Sequence, residues 1–594
     1  MKTTVLAVLF TLLCWSNCEA QAFDLPELPG PPPGYEEPGA AELERTLAPA
    51  GSLQWHRDAK LGISLHWGPV ALTGAPMSWG RWGPRPGAGK PATSGIPFEE
   101  YDQLYKRFNP VLFDADEWVS LFKRAGARYF YFTAKHHDGF CMWDSATTDY
   151  DIMSTPFKRD VAAELAAAGQ KQGVKVFWYY SQPDWVHPNA LQEGHYEKYL
   201  PYMQQQVDEL LNNYGRIDGL WFDHLGSRHY HWNSVEWLPS LREAHPGLLF
   251  NNRIGHGLEA RYQGDWLVYE LRVGPWEESR QWESNTTLTK AWAWHGGDLV
   301  KPYDAVLRLF LQVVGNGGNL LLNLGPTPEG SIADKERQVL EGLGAWLDEY
   351  GEAVYATRKG NFKPGSWGAS ARKGNQLFLY VLEQHAGDEY RFTVPALGRQ
   401  PTDARLLTTG GLEAVFDEDS WSFSLSGKNG MTPAVIRLGF DAELESLPGV
   451  DTYPEHLKLP LGGIVSSSDR NAKNSAAALL SQSEQGVFGE GIHIKNWWAP
   501  AQDDENPWLE LELDPPSAVR TLMISESIRT HAIRAFNVSY ATVNGGWEKT
   551  FTGSSIGEML FVRLDTPETD RLKIEFTGFE GSPPNITAVE VFAP

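Results

Sequence analysis

Short apolar runs recur along the first two thirds of this chain, separated by longer stretches whose apolar residues fall at helical spacing. Eight runs read as strands: LGISLHW (61–67), YFYFTAKHH (129–137), VKVFWYYS (174–181), GLWFDH (219–224), LLFNNR (248–253), WLVYEL (266–271), AWAWH (291–295) and GNLLLNLGP (318–326). Between them lie stretches such as PYMQQQVDELLNNYG (201–215), which closes on a Gly as a helix stop should. Strand alternating with helix is the pattern of βαβ units and a parallel sheet. Eight repeats are what a (β/α)8 barrel requires, so an α/β TIM-like barrel is expected over residues 52–353. A flat doubly wound sheet is the alternative.

After that segment the pattern changes to short alternating runs with Gly turns. NQLFLYVLE (375–383) and AVIRLGF (434–440) predict an antiparallel β-sandwich over 354–447. WLELELDPP, TLMISES, FNVSYAT and RLKIEFTGF predict a second sandwich over 460–594. At the other end, residues 1–20 carry Lys2, the apolar run VLAVLFTLLCW and a small residue at Ala20, which reads as a signal peptide. The run is shorter than the ~20 residues of a membrane-spanning helix, so no membrane span is expected, and the protein is expected to be exported to a periplasmic or extracellular space. Residues 21–51 contain LPELPGPPPGYEEPG, where repeated Pro blocks helix and ladder alike, and read as a linker or arm.

Composition narrows the chemistry. A net charge of −24 repels polyanions, so nucleic acid is not an expected partner. The chain has 24 Trp, and a fixed indole face is the surface on which the apolar side of a pyranose lies flat. Removal of the leader would leave Cys141 as the single cysteine, with no internal disulfide.

Polar residues gather where the apolar runs end, at the C-terminal edge where barrel active sites form. His66 closes the first run, His136 and His137 the second, Tyr180 and Ser181 the third, Asp223 the fourth and Arg253 the fifth. Asp223 stands out as one carboxylate after Leu220, Trp221 and Phe222. Glycoside hydrolysis usually needs a second carboxyl group, and Asp265, Glu270, Glu277, Glu278 and Glu283 are the candidates that follow. His136, His137 and Asp138 are adjacent, but neighbours on a regular strand face opposite ways, so no metal site and no cofactor are expected.

FNPVLFDADEWVSLFKRAGARYFYFTAKHHDGFCMWDS, GLWFDH, NNR and NGGNLLLNLGPTPEGSI together resemble the α-L-fucosidases of glycoside hydrolase family 29, over about residues 52–350. The resemblance implies an exo-acting retaining enzyme that removes terminal α-L-fucose from a fucosylated glycan through a covalent fucosyl-aspartate intermediate on Asp223. It implies sugar contacts at His66, Trp79, His136, His137, Tyr180, Trp221 and Arg253. For both imidazoles to reach the sugar, the backbone must leave strand geometry at 136–137. Glu283 in WESNTTLTKAWAWH is similar to the acid/base segment of members selective for branched α-1,3/1,4-linked fucose, with Glu270 the second choice. Many members have Glu before the Trp of MSWGRWG, where this chain has Ser78. A hydrolase of a related α-L-glycoside and a catalytically silent sugar-binding protein are the competing readings. WWAP (497–500) and NPWLELEL (506–513) resemble a discoidin-like carbohydrate-binding module.

Overall fold

The computed structural model describes residues 28–36, 47–88, 95–223, 229–253, 264–297, 299–427, 432–483, 497–527 and 531–594. The leader expected at 1–20 lies outside the described residues.

Eight parallel strands form the first body: β1 (Leu61–Leu65), β2 (Tyr129–Lys135), β3 (Lys175–Ser181), β4 (Gly219–Asp223), β5 (Leu249–Phe250), β6 (Leu267–Glu270), β7 (Trp282–Thr287) and β8 (Asn319–Leu324). Their order in the sheet is β5-β4-β3-β2-β1-β8-β7-β6. The two ends meet: Asn251 bridges Trp266 in parallel, Asp265 N–H donates to the Phe250 carbonyl at 2.7 Å, and Asn252 N–H to the Trp266 carbonyl at 3.0 Å. The ring is therefore joined after β5, and the flat-sheet alternative falls.

The helices after the first pack outside the strands, whereas the first lies against the ring's inner layer, its Trp55 and His56 beside the Tyr129 ring. α1 (Ala50–Ala59) precedes β1, and α2 (Ala115–Arg124), α3 (Val161–Gln172), α4 (Leu200–Asn212), α5 (Ser234–Ala244), α6 (Tyr303–Gly315) and α7 (Asp334–Tyr350) follow. Asp114 and Asp160 cap α2 and α3 by accepting the amides of Glu117 at 3.0 Å and Ala163 at 2.9 Å, which pairs a helix-end donor that would otherwise be orphaned.

Strand parity divides the barrel into two apolar layers. Tyr129, Tyr131, Phe177, Tyr179, Trp221 and Leu321 pack together inside the ring, while Phe130, Phe132, Trp178, Tyr180, Leu220 and Phe222 join the larger core shared with the helices. Aromatic side chains fit inside because two facing positions carry no side chain. A Cβ on Gly62 would lie 2.1 Å from the Tyr129 ring, and one on Gly219 would lie 2.1 Å from the Phe177 ring.

One strand differs from the sequence expectation. AWAWH (291–295) is an irregular loop, and the seventh strand is the polar WESNTT of β7. All six of its residues are buried. A polar run survives there where its groups find partners: Tyr129 donates to Glu283, Ser284 donates to the Arg272 carbonyl at 2.6 Å, and Lys301 donates to Thr286 at 3.0 Å. Apolar periodicity cannot flag such a strand.

Two β-sandwich regions follow. The first pairs a five-stranded sheet, running from Arg358–Lys359 to Ala434–Gly439, with a three-stranded sheet around a core that includes Phe362, Trp421 and Ile436. The last packs a five-stranded sheet containing Trp508–Ala518 and Glu568–Phe579 on a four-stranded one containing Thr521–Glu526 and Ile586–Phe592. Gln384–His385 from the preceding region adds an edge strand to that last sheet, parallel to Leu560–Arg563. No helix among the described residues is long and apolar enough to cross a membrane.

Candidate active site

β4 ends on Asp223, where two side chains hold its carboxylate and a third lies near it. The Tyr179 hydroxyl, on β3, donates to Oδ2 at 2.7 Å. The Arg253 guanidinium, just after β5, donates to Oδ1 at 3.3 Å, and His137 Nε2 lies 3.6 Å from Oδ2. The same guanidinium donates to Glu270 Oε2 at 2.7 Å, where β6 ends. One cation thus stands between two carboxylates on the C-terminal face of the ring. Desolvation by burial opposes the charge on Arg253, but the Glu270 and Asp223 carboxylates outweigh it and hold the guanidinium protonated at any ordinary pH.

The histidines gather on the same face. β2 ends at Lys135, and its register against β3 slips between Thr133 and Lys135. His136 and His137 therefore sit in the turn beyond the strand, and their rings both point to the site with centroids 4.1 Å apart. His66, just past β1, lies 5.2 Å from the Tyr179 ring and 5.6 Å from His136. The His136 ring lies parallel to Tyr179 at 5.3 Å, and Trp221 stacks on the other side of that tyrosine at 5.0 Å. Burial lowers all three imidazoles, His137 to about 4, so they are neutral near pH 7. Trp79 stands at the rim, 42% exposed, edge-on to His137 and Trp185.

The structure brings together Asp223, His66, His136, His137, Trp79, Trp221 and Arg253, and it corrects two assignments. Tyr180 points outward: its hydroxyl donates to Gln206 on α4 at 2.7 Å, and Lys135 lies over its ring. Residues on a strand alternate in facing, so Tyr179 is the tyrosine that reaches the site. Glu283 lies near the opposite end of the ring, level with Asn319 at the start of β8. It is fully buried, accepts from Tyr129 at 2.8 Å and lies 3.7 Å from His56. A carboxyl enclosed there cannot reach a glycosidic oxygen at the C-terminal face.

The other carboxylates are also accounted for. Asp265 is held by Arg242, Ala48 N–H and Phe250 N–H, Glu278 by Arg280, and Glu277 by Lys363. Sequence reading missed Tyr179, and Trp292, whose ring lies 5.1 Å from His66. The first is one of an adjacent YY pair whose inward member the sequence does not mark; the second sits in the loop taken for a strand. No cluster of three or more His, Cys, Asp or Glu that could hold a metal ion occurs among the described residues.

A profile described as alpha-L-fucosidase matches residues 40–352, more than half of the sequence. The chain belongs to the alpha-L-fucosidase family. It is accordingly a glycoside hydrolase. Within the family it is similar to tissue alpha-L-fucosidase of Rattus norvegicus, 29% identical over 415 residues, covering 65% of this chain and 84% of that one. It is 27% identical over 382 residues to plasma alpha-L-fucosidase of Homo sapiens, covering 60% and 81%. Among solved structures, alpha-L-fucosidase isoenzyme 1 from Paenibacillus thiaminolyticus superposes with TM-score 0.57 at 30% identity, over 66% of this chain and 99% of that chain. A family 29 alpha-L-fucosidase from Bacteroides thetaiotaomicron, trapped as a covalent intermediate with 2-fluoro-fucosyl fluoride, superposes with TM-score 0.58 at 27% identity, over 70% and 100%. The alpha-L-fucosidase from Vibrio sp. strain EJY3 shares the fold over 92% of this chain and 99% of its own, with TM-score 0.62 at 21% identity.

Proposed function

We propose that this family member is an exo-acting retaining α-L-fucosidase in which Asp223 is the nucleophile and Glu270, not Glu283, is the acid and then the base. The observation that carries the reading is the bridge Asp223–Arg253–Glu270, which sets two carboxylates around one point on the C-terminal face. Retaining hydrolysis uses carboxyl groups about 5 Å apart, one to attack the anomeric carbon and one to protonate the leaving oxygen.

The residues divide the work as follows. Arg253 and the Tyr179 hydroxyl each bind one oxygen of Asp223, which keeps the carboxylate aimed until the sugar arrives. Asp223 attacks the anomeric carbon as Glu270 gives its proton to the departing oxygen. Water then attacks the fucosyl ester while Glu270 takes up its proton. In the resting site Glu270 is paired to Arg253 at 2.7 Å. His66, His136 and His137 offer neutral ring nitrogens to sugar hydroxyls, and Trp79 and Trp221 offer aromatic surface.

The last sandwich is read as a carbohydrate-binding module and the protein as exported; the motifs at 497–513 and 1–20 support these in turn, while the α-1,3/1,4 linkage expected from Glu283 as the acid/base falls with that assignment. The mechanism is tested by following aryl α-L-fucoside hydrolysis by proton NMR. Appearance of α-L-fucose before its mutarotation is the expected result. β-L-fucose as first product contradicts the covalent route through Asp223.

A further inference from the structure

Beyond β7 the chain leaves the barrel and returns to it through a narrow neck. Leu288 N–H donates to the Asn323 carbonyl at 2.8 Å, Lys301 N–H donates to the Leu288 carbonyl at 2.9 Å, and Thr289 bridges Val300 in antiparallel fashion. Past the neck the segment carries Trp292 into the site. Its ring stands 5.1 Å from His66, and its carbonyl accepts Asn323 Nδ2 at 2.7 Å, while Asn323 Oδ1 lies 2.6 Å from His66 Nδ1. One asparagine thus couples the placing of this segment to that of a site imidazole.

The last sandwich holds the neck. Arg534, at the start of its strand Ile533–Ala541, directs Nε to Glu580 at 3.1 Å, Nη1 to the His531 carbonyl at 2.7 Å and Nη2 to the Val300 carbonyl at 2.9 Å. The first two bonds lie within the sandwich and fix the guanidinium, so the third falls on the neck with little freedom. Lys335 of α7 donates to the same Glu580 at 2.7 Å. Apolar contact closes the place as well: Leu299 is buried, and a Cβ on Gly581 would lie 3.2 Å from Leu299 Cβ. Lys301, fully buried next to Val300, donates to Thr286 on β7 at 3.0 Å.

We infer that Arg534 is a positioning residue for the sugar site: from the last sandwich it pins the neck of the segment that sets Trp292 and, through Asn323, His66. The sandwich then serves the site in the barrel directly, apart from any glycan it binds itself. Arg308 supplies the contrast, because it joins the sandwich to α6 through Ser555 and Ile556 and does not touch the segment. The inference rests on the α-L-fucosidase reading for the substrate of the assay, but not for the ordering of the neck.

The test compares Arg534→Ala, Arg534→Lys and Arg308→Ala, each assayed well below its melting transition. On an aryl α-L-fucoside, Arg534→Ala should raise KM about fivefold with kcat within about twofold of wild type, because Trp292 and His66 hold the sugar in ground and transition state alike. Arg534→Lys keeps a charged donor in reach of the neck and should recover most of the loss, and Arg308→Ala should leave KM within about twofold of wild type. Arg534→Gln, whose shorter amide keeps the stem but falls short of the neck, replaces the alanine variant if that one does not fold. Hydrogen exchange followed by mass spectrometry reads the neck with no sugar present: peptides covering Leu288 and Lys301 should exchange at least about tenfold faster in Arg534→Ala than in wild type or Arg308→Ala. A folded Arg534→Ala with unchanged KM or unchanged exchange overturns the inference. Equal effects of Arg534→Ala and Arg308→Ala also overturn it, since they would trace both to loosened docking. A wild type that hydrolyses no α-L-fucoside defeats the fucosidase reading, while exchange at the neck still decides this one.

Discussion

Two adjacent tyrosines on β3 have opposite fates, and their order decides which one faces the site. Tyr179 donates to the Asp223 carboxylate, whereas Tyr180 donates to Gln206 between sheet and helix. Tyr179→Phe removes a charge-assisted hydrogen bond at the proposed nucleophile and should lower kcat/KM on an aryl α-L-fucoside by about 10-fold to 100-fold, with little change in melting temperature. Tyr180→Phe leaves Gln206 Oε1 short of a donor in a buried place; it should lower stability by about 1 kcal/mol and leave kcat nearly unchanged. The reverse pattern would show that parity is misassigned. Asp223, Arg253 and the histidines were legible because a charged or imidazole group at the end of an apolar strand signals a polar cavity. Tyr179 was not, because from sequence alone neither member of a YY pair is marked as the inward one.

At the level of elements, seven of the eight expected strands overlap those observed, because buried parallel strands are apolar enough to stand out. β7 was hidden by its own chemistry, being polar yet wholly buried, and the apolar AWAWH beside it drew the assignment. Glu283, named from the resemblance of its segment, sits near the start of β7, at the end of the barrel away from the Asp223 face.

α7 offers a test of buried charge in an element outside the site. Glu336 in its first turn is buried, and burial raises its carboxyl from an ordinary 4.5 to about 8. Its folded value lies above its unfolded one, so the unfolded chain loses this proton first as pH rises. The contribution is intact below about pH 4.5 and is lost progressively toward pH 8. Glu336→Gln should therefore be more stable than wild type at pH 8 by on the order of 4 kcal/mol, and the gap should close near pH 5. Thermal melts at both pH values check this; a gap independent of pH would contradict it.

Across the whole molecule, the last sandwich is docked on the barrel by directed polar contacts. Arg308 on α6 donates to the Ser555 carbonyl and the Ile556 carbonyl, both at 3.2 Å, and to Ser555 Oγ at 2.9 Å, while Asp304 holds Arg308 at 2.9 Å. Arg534 returns a bond to the Val300 carbonyl at 2.9 Å. Arg308→Ala would leave these buried carbonyls unpaired and should cost about 1–3 kcal/mol at the contact. Calorimetry should then resolve an earlier transition for the sandwich while turnover of a small aryl fucoside is kept, because the site lies within the barrel. An unshifted melt would mean that the contact carries no stability.

The most direct measurement is release of free fucose from an aryl α-L-fucoside by wild type, Asp223→Ala, Glu270→Ala and Glu283→Gln side by side, each checked for folding. Wild type should release fucose, Asp223→Ala should lose about 10³-fold or more, Glu270→Ala should lose at least about 10²-fold, and Glu283→Gln should stay within about tenfold of wild type while melting earlier. A folded Glu283→Gln that has lost turnover beside a Glu270→Ala that keeps it, or a wild type that releases no fucose, would contradict the account.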